Sequence, residues 1–537
     1  MKEKLVNLIR TSIQNAKSKG KLKTTDIPLP TIEIPRDEKF GDYSTNVALV
    51  LSGSENIPAR EIAECLKDEI ASSKILKKVD IAGPGFLNLT LSDSTLQSIL
   101  PEIKKLDGDF GKTKAAKEKL LLEFVSANPT GPLHVGHGRW AVIGDALGNL
   151  LDAIGFKVKR EFYINDVGNQ IDLLLKSVEA VIEGKPTPEG GYGGAYVKEI
   201  GDHLKDKKGR SDFQQLVIDH ILKNQKATLE KLGIKFDSWV SEASLHKSGL
   251  VQKTIENLKS KKITFMEKGA LWFKSQEFGD DKNRVLIKED GTPTYFAADI
   301  AYHSDKFRRG FDRLINVWGT DHHGYVARIL AALKSLDLPS DHLEIIIGQL
   351  VSLYRGSEQV RMSKRTGEII TLEEVLEEIG HDATRFFLVM LSPNTHLDFD
   401  LELAKKKSHE NPVYYVQYAH ARISSILSEG ESRGFKKKDI GRSVNLSLLD
   451  KKEERNLMKK LAGFPDEVLS SALLREPHRL TIYARELATI FHNFYHQHRV
   501  LSDDPELSGA RLALCDCSRI VLRNVLKLLG ITAPERM

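Results

Sequence analysis

Apolar residues recur along this chain in two periods, and the places where they stop divide it. Leu5, Leu8, Ile9 and Ile13 are spaced for one face of an amphipathic helix at the N-terminus. The mostly apolar run Leu120 to Val125 predicts a buried strand. Val142, Ala146, Leu147, Leu150 and Leu151 return to helical spacing directly after it. In the last third, Leu480, Tyr483, Ala484, Leu487, Ile490, Phe491 and Phe494 predict a long buried helix. Three stretches break the pattern. Lys104 to Lys119 is rich in Lys and Gly, Gly184 to Gly194 is dense in Pro and Gly, and Ser428 to Arg442 is charged and Gly-punctuated. The second break lies in a polar, helical stretch from Ile171 to about Leu258. That stretch interrupts an alternation of strands and helices and is expected to be an insertion, spanning about 171–290. No internal repeat with a period of 20–50 residues is present.

The chain has 537 residues, 41% of them hydrophobic and 28% charged. Length predicts three or four domains, and composition excludes collagen-like and disordered classes. No apolar run reaches the length that spans a bilayer, and the N-terminus lacks a secretory core segment. Three cysteines, Cys65, Cys515 and Cys517, are too few for a disulfide framework or a four-cysteine zinc site. The expectation is a cytoplasmic protein without a membrane partner. A formal charge of +5 permits a nucleic-acid partner without establishing one.

The chemistry concentrates in E-F-V-S-A-N-P-T-G-P-L-H-V-G-H, Glu123 to His137. A strand runs through a Pro/Gly turn into a helix N-terminus, where main-chain N–H groups and the helix dipole favour an anion. Gly136 lets a ligand approach the backbone, and His134 and His137 can donate to phosphate oxygens. Alone, H-x-G-H is also consistent with an incidental loop. Much later comes R-M-S-K-R-T-G, Arg361 to Gly367, where Met362, Ser363 and Lys364 suit a mobile loop reaching a polyphosphate. Alone, it reads as a solvated basic loop. G-K-T at Gly111 is not a phosphate loop, because Leu106 stands where a glycine is required.

Taken together, the two segments resemble the signature motifs of class I aminoacyl-tRNA synthetases. Val135 replaces the usual Ile of the first motif, and Arg361 and Arg365 replace the first Lys and last Ser of the second. Longer strings narrow the resemblance to arginyl-tRNA synthetase: Y-I-N-D-V-G-N-Q (163–170), Y-F-A-A-D-I-A-Y-H (295–303), W-G-T-D-H-H-G-Y (318–325), Y-V-Q-Y-A-H-A-R (415–422) and the final A-P-E-R-M. The resemblance implies a fold of class α/β: a doubly wound parallel sheet of Rossmann type over 118–400, preceded by an α/β domain over 1–108 and followed by a helical domain over 405–537. It implies that the first domain meets the tRNA elbow and the last binds the anticodon. It implies L-arginine, ATP and tRNA(Arg) as partners, Mg²⁺ arriving with ATP, and activation that requires bound tRNA. His134, Gly136, His137, Met362, Ser363 and Lys364 would hold ATP, with His134, His137 and Lys364 catalytic. Glu123, Asn128, Tyr295, Asp299 and His322 fall where the family binds arginine.

The residue chemistry agrees. A guanidinium calls for carboxylates in bidentate geometry. Strand-end acids would supply them, with Glu123 and Asp299 as candidates and Tyr295 one helical turn before Asp299. Asp321 to His323 is too compact a group to coordinate one ion, so no protein-bound zinc is expected. His492, His496 and His498 suit packing or exposure on a helix. The chain is expected to act as a monomer. Two other classes fit parts of the pattern, a small-molecule nucleotidylyltransferase and a non-catalytic RNA-binding relative. The first has no use for the flanking domains, and the second has no use for intact signature residues.

Overall fold

The computed structural model describes residues 1–24, 26–114, 116–360, 370–435 and 444–537, and only the backbone of 321–323. The centre is a five-stranded sheet of β1 (Lys119–Glu123), β2 (Lys157–Ile164), β3 (Ser238–Ser241), β4 (Arg313–Gly319) and β5 (Leu343–Gly348). Its spatial order is β5-β4-β1-β2-β3, and every pairing is parallel. This is the doubly wound arrangement expected from the sequence. Leu120, Leu121 and Leu122 are buried on both faces, as a central parallel strand requires. The strand order reverses between β1 and β4, so the crevice for a ligand opens at the carboxyl ends of these two strands.

Helix α1 (Val135–Ala153) follows β1 and is buried on nearly every face. Its glycines permit this: a Cβ at Gly144 would overlap the Phe124 ring. Arg139, fully buried on α1, donates to four main-chain oxygens, Gln349 (3.0 Å), Leu350 (3.2 Å), Ser392 (3.0 Å) and Thr395 (2.7 Å). It ties the turn after β5 to the 392–395 loop.

The structure corrects the insertion boundary. β3 lies inside 171–290, yet it pairs with β2 from Glu161↔Ser238 to Ile164↔Ser241. All four of its residues are half-exposed, so this short edge strand carries no apolar run to mark it. The segments around it are three helices before (Asn169–Ile182, Ala195–Leu204, Phe213–Lys231) and, after it, two helices and a three-stranded antiparallel sheet.

Residues before 107 form helices packed on an antiparallel sheet of Tyr43–Thr45, Phe86–Leu91 and Leu76–Ala82. From Pro412 onward the described residues with regular structure are helical. The stretch at 104–119 is no free separator. Lys104 closes a helix and pairs with buried Asp516, and Asn524 Nδ2 donates to the carbonyls of Asp107 (2.7 Å) and Phe110 (3.1 Å). The stretch before β1 is thus docked on the helix Pro505–Leu528. The stretch from Ser428 likewise starts inside the helix Pro412–Ser432, and residues 436–443 lie outside those described. No described helix is long and apolar enough to cross a membrane.

Candidate active site

The turn after β1 is the most constrained backbone in the centre of the molecule. Val125 and Ser126 sit at φ 70° and 42°, values rare for any residue but glycine and most costly for a β-branched one. The conformation is held from outside. Gln225, buried on the helix Phe213–Lys231, donates to the carbonyls of Asn128 (3.2 Å) and Gly131 (2.9 Å), and Tyr196 donates to that of Thr130 (2.9 Å). Neither residue stood out in the sequence, because each acts on main chain far away along it.

His134 caps α1. Its Nδ1 accepts the Gly136 N–H (3.1 Å), and His137 Nδ1 accepts the His134 N–H (3.3 Å). Both δ nitrogens are therefore acceptors, and each neutral ring carries its proton on Nε2 as a donor. The rings stack with centroids 3.7 Å apart. Two N–H donors at the start of a helix suit an anion such as a phosphate oxygen. The second signature loop, with Met362, Ser363 and Lys364, lies outside the described residues. Its C-terminal anchor does not: Thr371 forms an antiparallel bridge with His134, and Leu372 N donates to Leu133 O (2.8 Å). The main chain thus joins the two signature segments.

Beside this turn lies a cavity of about 250 Å³ lined by Asn128, Asn165, Val167, Asn169, Gln170 and Tyr295. Asn128 Nδ2 donates to Gln170 Oε1 (2.7 Å), and the Tyr295 hydroxyl donates to Val167 O (3.4 Å). A Cβ at Gly168, which has φ 87°, would collide with that hydroxyl. Asp299 sits one turn after Tyr295 on helix α2 (Tyr295–Arg308), not at a strand end as expected. The local cause is Thr294, whose hydroxyl accepts the Ala297 N–H and starts the helix directly after the turn at 290–292.

The acids near this cavity are unequal. Glu123 ends β1 with its charge already matched: Oε2 pairs with the fully buried Lys306, and Oε1 accepts from Ser126 Oγ (3.0 Å). Among the described residues neither Asp299 nor Glu242 pairs with a Lys or Arg, and Glu242 Oε1 lies 3.8 Å from His246 Nε2. Burial pushes the Asp299 carboxyl up to about 7, against a hydrogen bond from the Tyr325 hydroxyl that favours the charged form. Burial, then the charge of Asp299, push Glu242 up to about 8. Glu242 was missed in the sequence. It opens the short helix after β3, and Asn165, with its amide nitrogen turned inward, donates to its Oε2 (3.1 Å). Asp166 is occupied in holding that helix start, accepting from Ser241 Oγ (2.5 Å) and Ala243 N (2.9 Å). The backbone of His322 lies in the turn after β4, and its side chain is outside those described.

A cleft of about 1060 Å³ between Tyr43 and the helices carrying Tyr415 and Tyr483 is larger. It lies away from the signature segments and lacks an unmatched pair of buried acids, so volume is a poor guide here. His492 packs between Tyr415 and Tyr418, and His498 faces Glu453 (2.9 Å).

The family comparisons follow this geometry. Residues 3–91 match the arginyl tRNA synthetase N terminal domain, residues 95–191 and 193–392 the catalytic domain of tRNA synthetases class I (R), and residues 416–537 the DALR anticodon binding domain. The chain is 46% identical to an arginine–tRNA ligase of Heliobacterium modesticaldum, over 98% of this chain and 97% of the relative. It is 44% identical to one of Moorella thermoacetica, over 100% and 99%. The Thermus thermophilus arginyl-tRNA synthetase structure superposes with a TM-score of 0.79 at 23% identity, covering both chains fully. With a catalytic-domain match over more than half its length and such relatives along all of it, the chain belongs to the arginyl-tRNA synthetase family of class I aminoacyl-tRNA synthetases.

Proposed function

We propose that this protein is an arginine–tRNA ligase, an enzyme that uses ATP to activate L-arginine as arginyl-adenylate and transfers it to the 3′ end of tRNA(Arg). The observation that carries the amino-acid assignment is the pair Asp299 and Glu242, two carboxyls raised to about 7 and about 8 that face no Lys or Arg ion-pair partner among the described residues, Glu242 having His246 Nε2 at 3.8 Å. A guanidinium supplies the missing charge and enough planar donors for both acids. Tyr295 and Tyr325 flank it. Asn128 and the held carboxylate of Glu123 then serve the α-amino end, nearer β1.

The arginine carboxylate attacks the α-phosphorus of ATP, and pyrophosphate leaves. Such a step needs alignment and charge stabilisation more than a strong base. His134 and His137 donate Nε2–H to phosphate oxygens, and Gly136 leaves room for the nucleotide beside the backbone. Lys364, with Met362 and Ser363 on the same loop, meets the charge that grows on pyrophosphate. Mg²⁺ enters with ATP, needing few protein ligands. The terminal ribose hydroxyl of tRNA then takes the arginyl group and AMP leaves.

The tRNA is held far from this chemistry. Arg422 lies over the rings of Tyr418 (4.9 Å) and Tyr495 (5.3 Å) on half-buried helix faces, a platform suited to stacked bases. We assign the anticodon to these helices and the tRNA elbow to the N-terminal domain. Charging of total tRNA with each amino acid in turn tests the whole reading. Arginine alone is expected to be attached, and attachment of another amino acid at a comparable rate would overturn the assignment.

A further inference from the structure

Lys306 has no place in the expectations drawn from the sequence. Its side chain has no solvent exposure. Its ammonium pairs with Glu123 Oε2, donates to Asn316 Oδ1 (3.0 Å) and lies 4.2 Å from the centre of the Tyr302 ring. The orientation of Asn316 is dictated in turn. His303 Nδ1 faces the carbonyl of Asp299 (2.8 Å), which only accepts, so that nitrogen carries the proton. His303 Nε2 must then accept, and Asn316 Nδ2 donates to it (2.8 Å), which turns the amide oxygen towards Lys306. The donors all run one way, from Lys306 through Asn316 and His303 to the main chain of Asp299. Burial pushes His303 down to about 3, so this pattern does not change near neutral pH.

We propose that Lys306 is a positioning residue for the arginine site: seated by Asn316 and His303, it is an internal counter-cation that fixes the Glu123 carboxylate at the end of β1 and leaves Asp299 and Glu242 as the charges that meet the guanidinium. The inference rests on the placement of arginine made above. A buried ion pair adds little net stability compared with apolar residues of the same shape, so stability alone is a weak reason for a lysine here. Its placement has another consequence. Glu123 has both oxygens held, by Lys306 and by Ser126 beside the strained turn, which is how a ligand-binding group is kept in one orientation. Around it stand Glu161, itself bonded to Arg309 (2.6 and 2.8 Å) and Tyr302 (2.8 Å), with Tyr163 on β2, Asp299, Tyr302 and His303 on α2, and Glu242 and Tyr325 beyond. In that setting the Glu123 charge raises Asp299 and the Lys306 charge lowers it. Removing Lys306 alone therefore adds an unmatched negative charge next to Asp299.

The test is arginine-dependent pyrophosphate exchange, with saturating tRNA, for Lys306→Met, Lys306→Arg, Glu123→Gln and the double variant Lys306→Met/Glu123→Gln, from pH 6 to pH 9. Lys306→Met is expected to raise the KM for arginine about 10²-fold, as loss of one partner of a buried pair does, with the KM for ATP within about twofold. The pH below which arginine KM rises is expected to move up by about one unit. The double variant is expected to return that pH to the wild-type position without recovering arginine KM, and Lys306→Arg to keep it. An unmoved pH profile in Lys306→Met, or equal losses for ATP and arginine, would overturn the proposal and leave a structural tie. A Glu123→Gln variant indistinguishable from wild type would instead overturn the placement of arginine beside Glu123. Should Lys306→Met fail to fold, the double variant decides: a raised KM for arginine with the KM for ATP unchanged supports the proposal, and equal losses for both substrates overturn it.

Discussion

Asp299 and Glu242 predict that arginine and protons compete for the same site. In the free protein their carboxyls lie near 7 and 8, raised by burial and, for Glu242, by the charge of Asp299. At pH 7 the pair therefore holds roughly one to one and a half protons. A bound guanidinium favours both charged forms and expels them. Free carboxyls with these values that ionise fully on binding weaken apparent arginine affinity by about 10²–10³-fold between pH 8 and pH 6. Ionising Asp299 without a ligand costs on the order of 4 kcal/mol relative to water, the reserve from which this linkage arises. Stability of the free protein should run the other way. Folded-state values above the ordinary ones mean that the contribution of the pair is full below about pH 4 and is lost as pH rises through about 7 to 8. Calorimetry of arginine binding in two buffers of different ionisation enthalpy reads the proton count directly. Between about one and one and a half protons should be released at pH 7 and almost none at pH 9, and Glu242→Gln should cut the release at pH 7 to about half a proton. Equal affinity at pH 6 and pH 8, with heats independent of buffer, would refute the reasoning.

Asp299→Asn is expected to raise the KM for arginine by about 10- to 150-fold, the loss of a charge-assisted hydrogen bond, and to leave the KM for ATP unchanged; an unchanged arginine requirement in pyrophosphate exchange would sink the assignment. Lys364→Ala is expected to slow arginine activation by about 10²–10³-fold in kcat, with arginine KM unmoved, because pyrophosphate gains charge only as its bond breaks. A rise confined to the KM for tRNA would make that loop an RNA contact. Arg385 is fully buried and binds Asp145 Oδ2 (2.5 Å) on α1, Leu232 O (2.8 Å) and Leu529 O (2.9 Å). Arg385→Met should therefore cost about 3–5 kcal/mol in urea unfolding, and a loss below about 1 kcal/mol would show that the node is not needed for stability.

Local pattern was enough for the parts of this protein built from neighbours along the chain. The unbroken apolar run at 120–122 announces a strand buried on both faces. The helical spacing from Val142 to Leu151 announces α1, and His134 and Gly136 fall where a helix begins, because caps and turns are chosen by a few adjacent residues. The signature strings also named the chemistry, since reacting groups must keep their spacing in one loop. β3 escaped notice because a four-residue edge strand, half-exposed throughout, has no periodicity to detect. Asp299 was placed on the wrong kind of element because an acid in a sequence shows no sign of the Thr294 cap that starts its helix.

Buried charge was the least legible feature. Glu242, Lys306, Arg139 and Arg385 look like surface residues in a sequence, where residue type is visible and partners are not. The three cations are interior because a group distant along the chain compensates each: Glu123 and Asn316 for Lys306, four carbonyls for Arg139, Asp145 for Arg385. Taking a charge out of water is costly unless such partners converge. Their convergence follows from the packing of strands and helices and not from any short string of residues. So the family and the reaction could be read from motifs. Which buried acids pair with a lysine or arginine and which do not was fixed only when β1, β3, α2 and β4 came together in the folded chain.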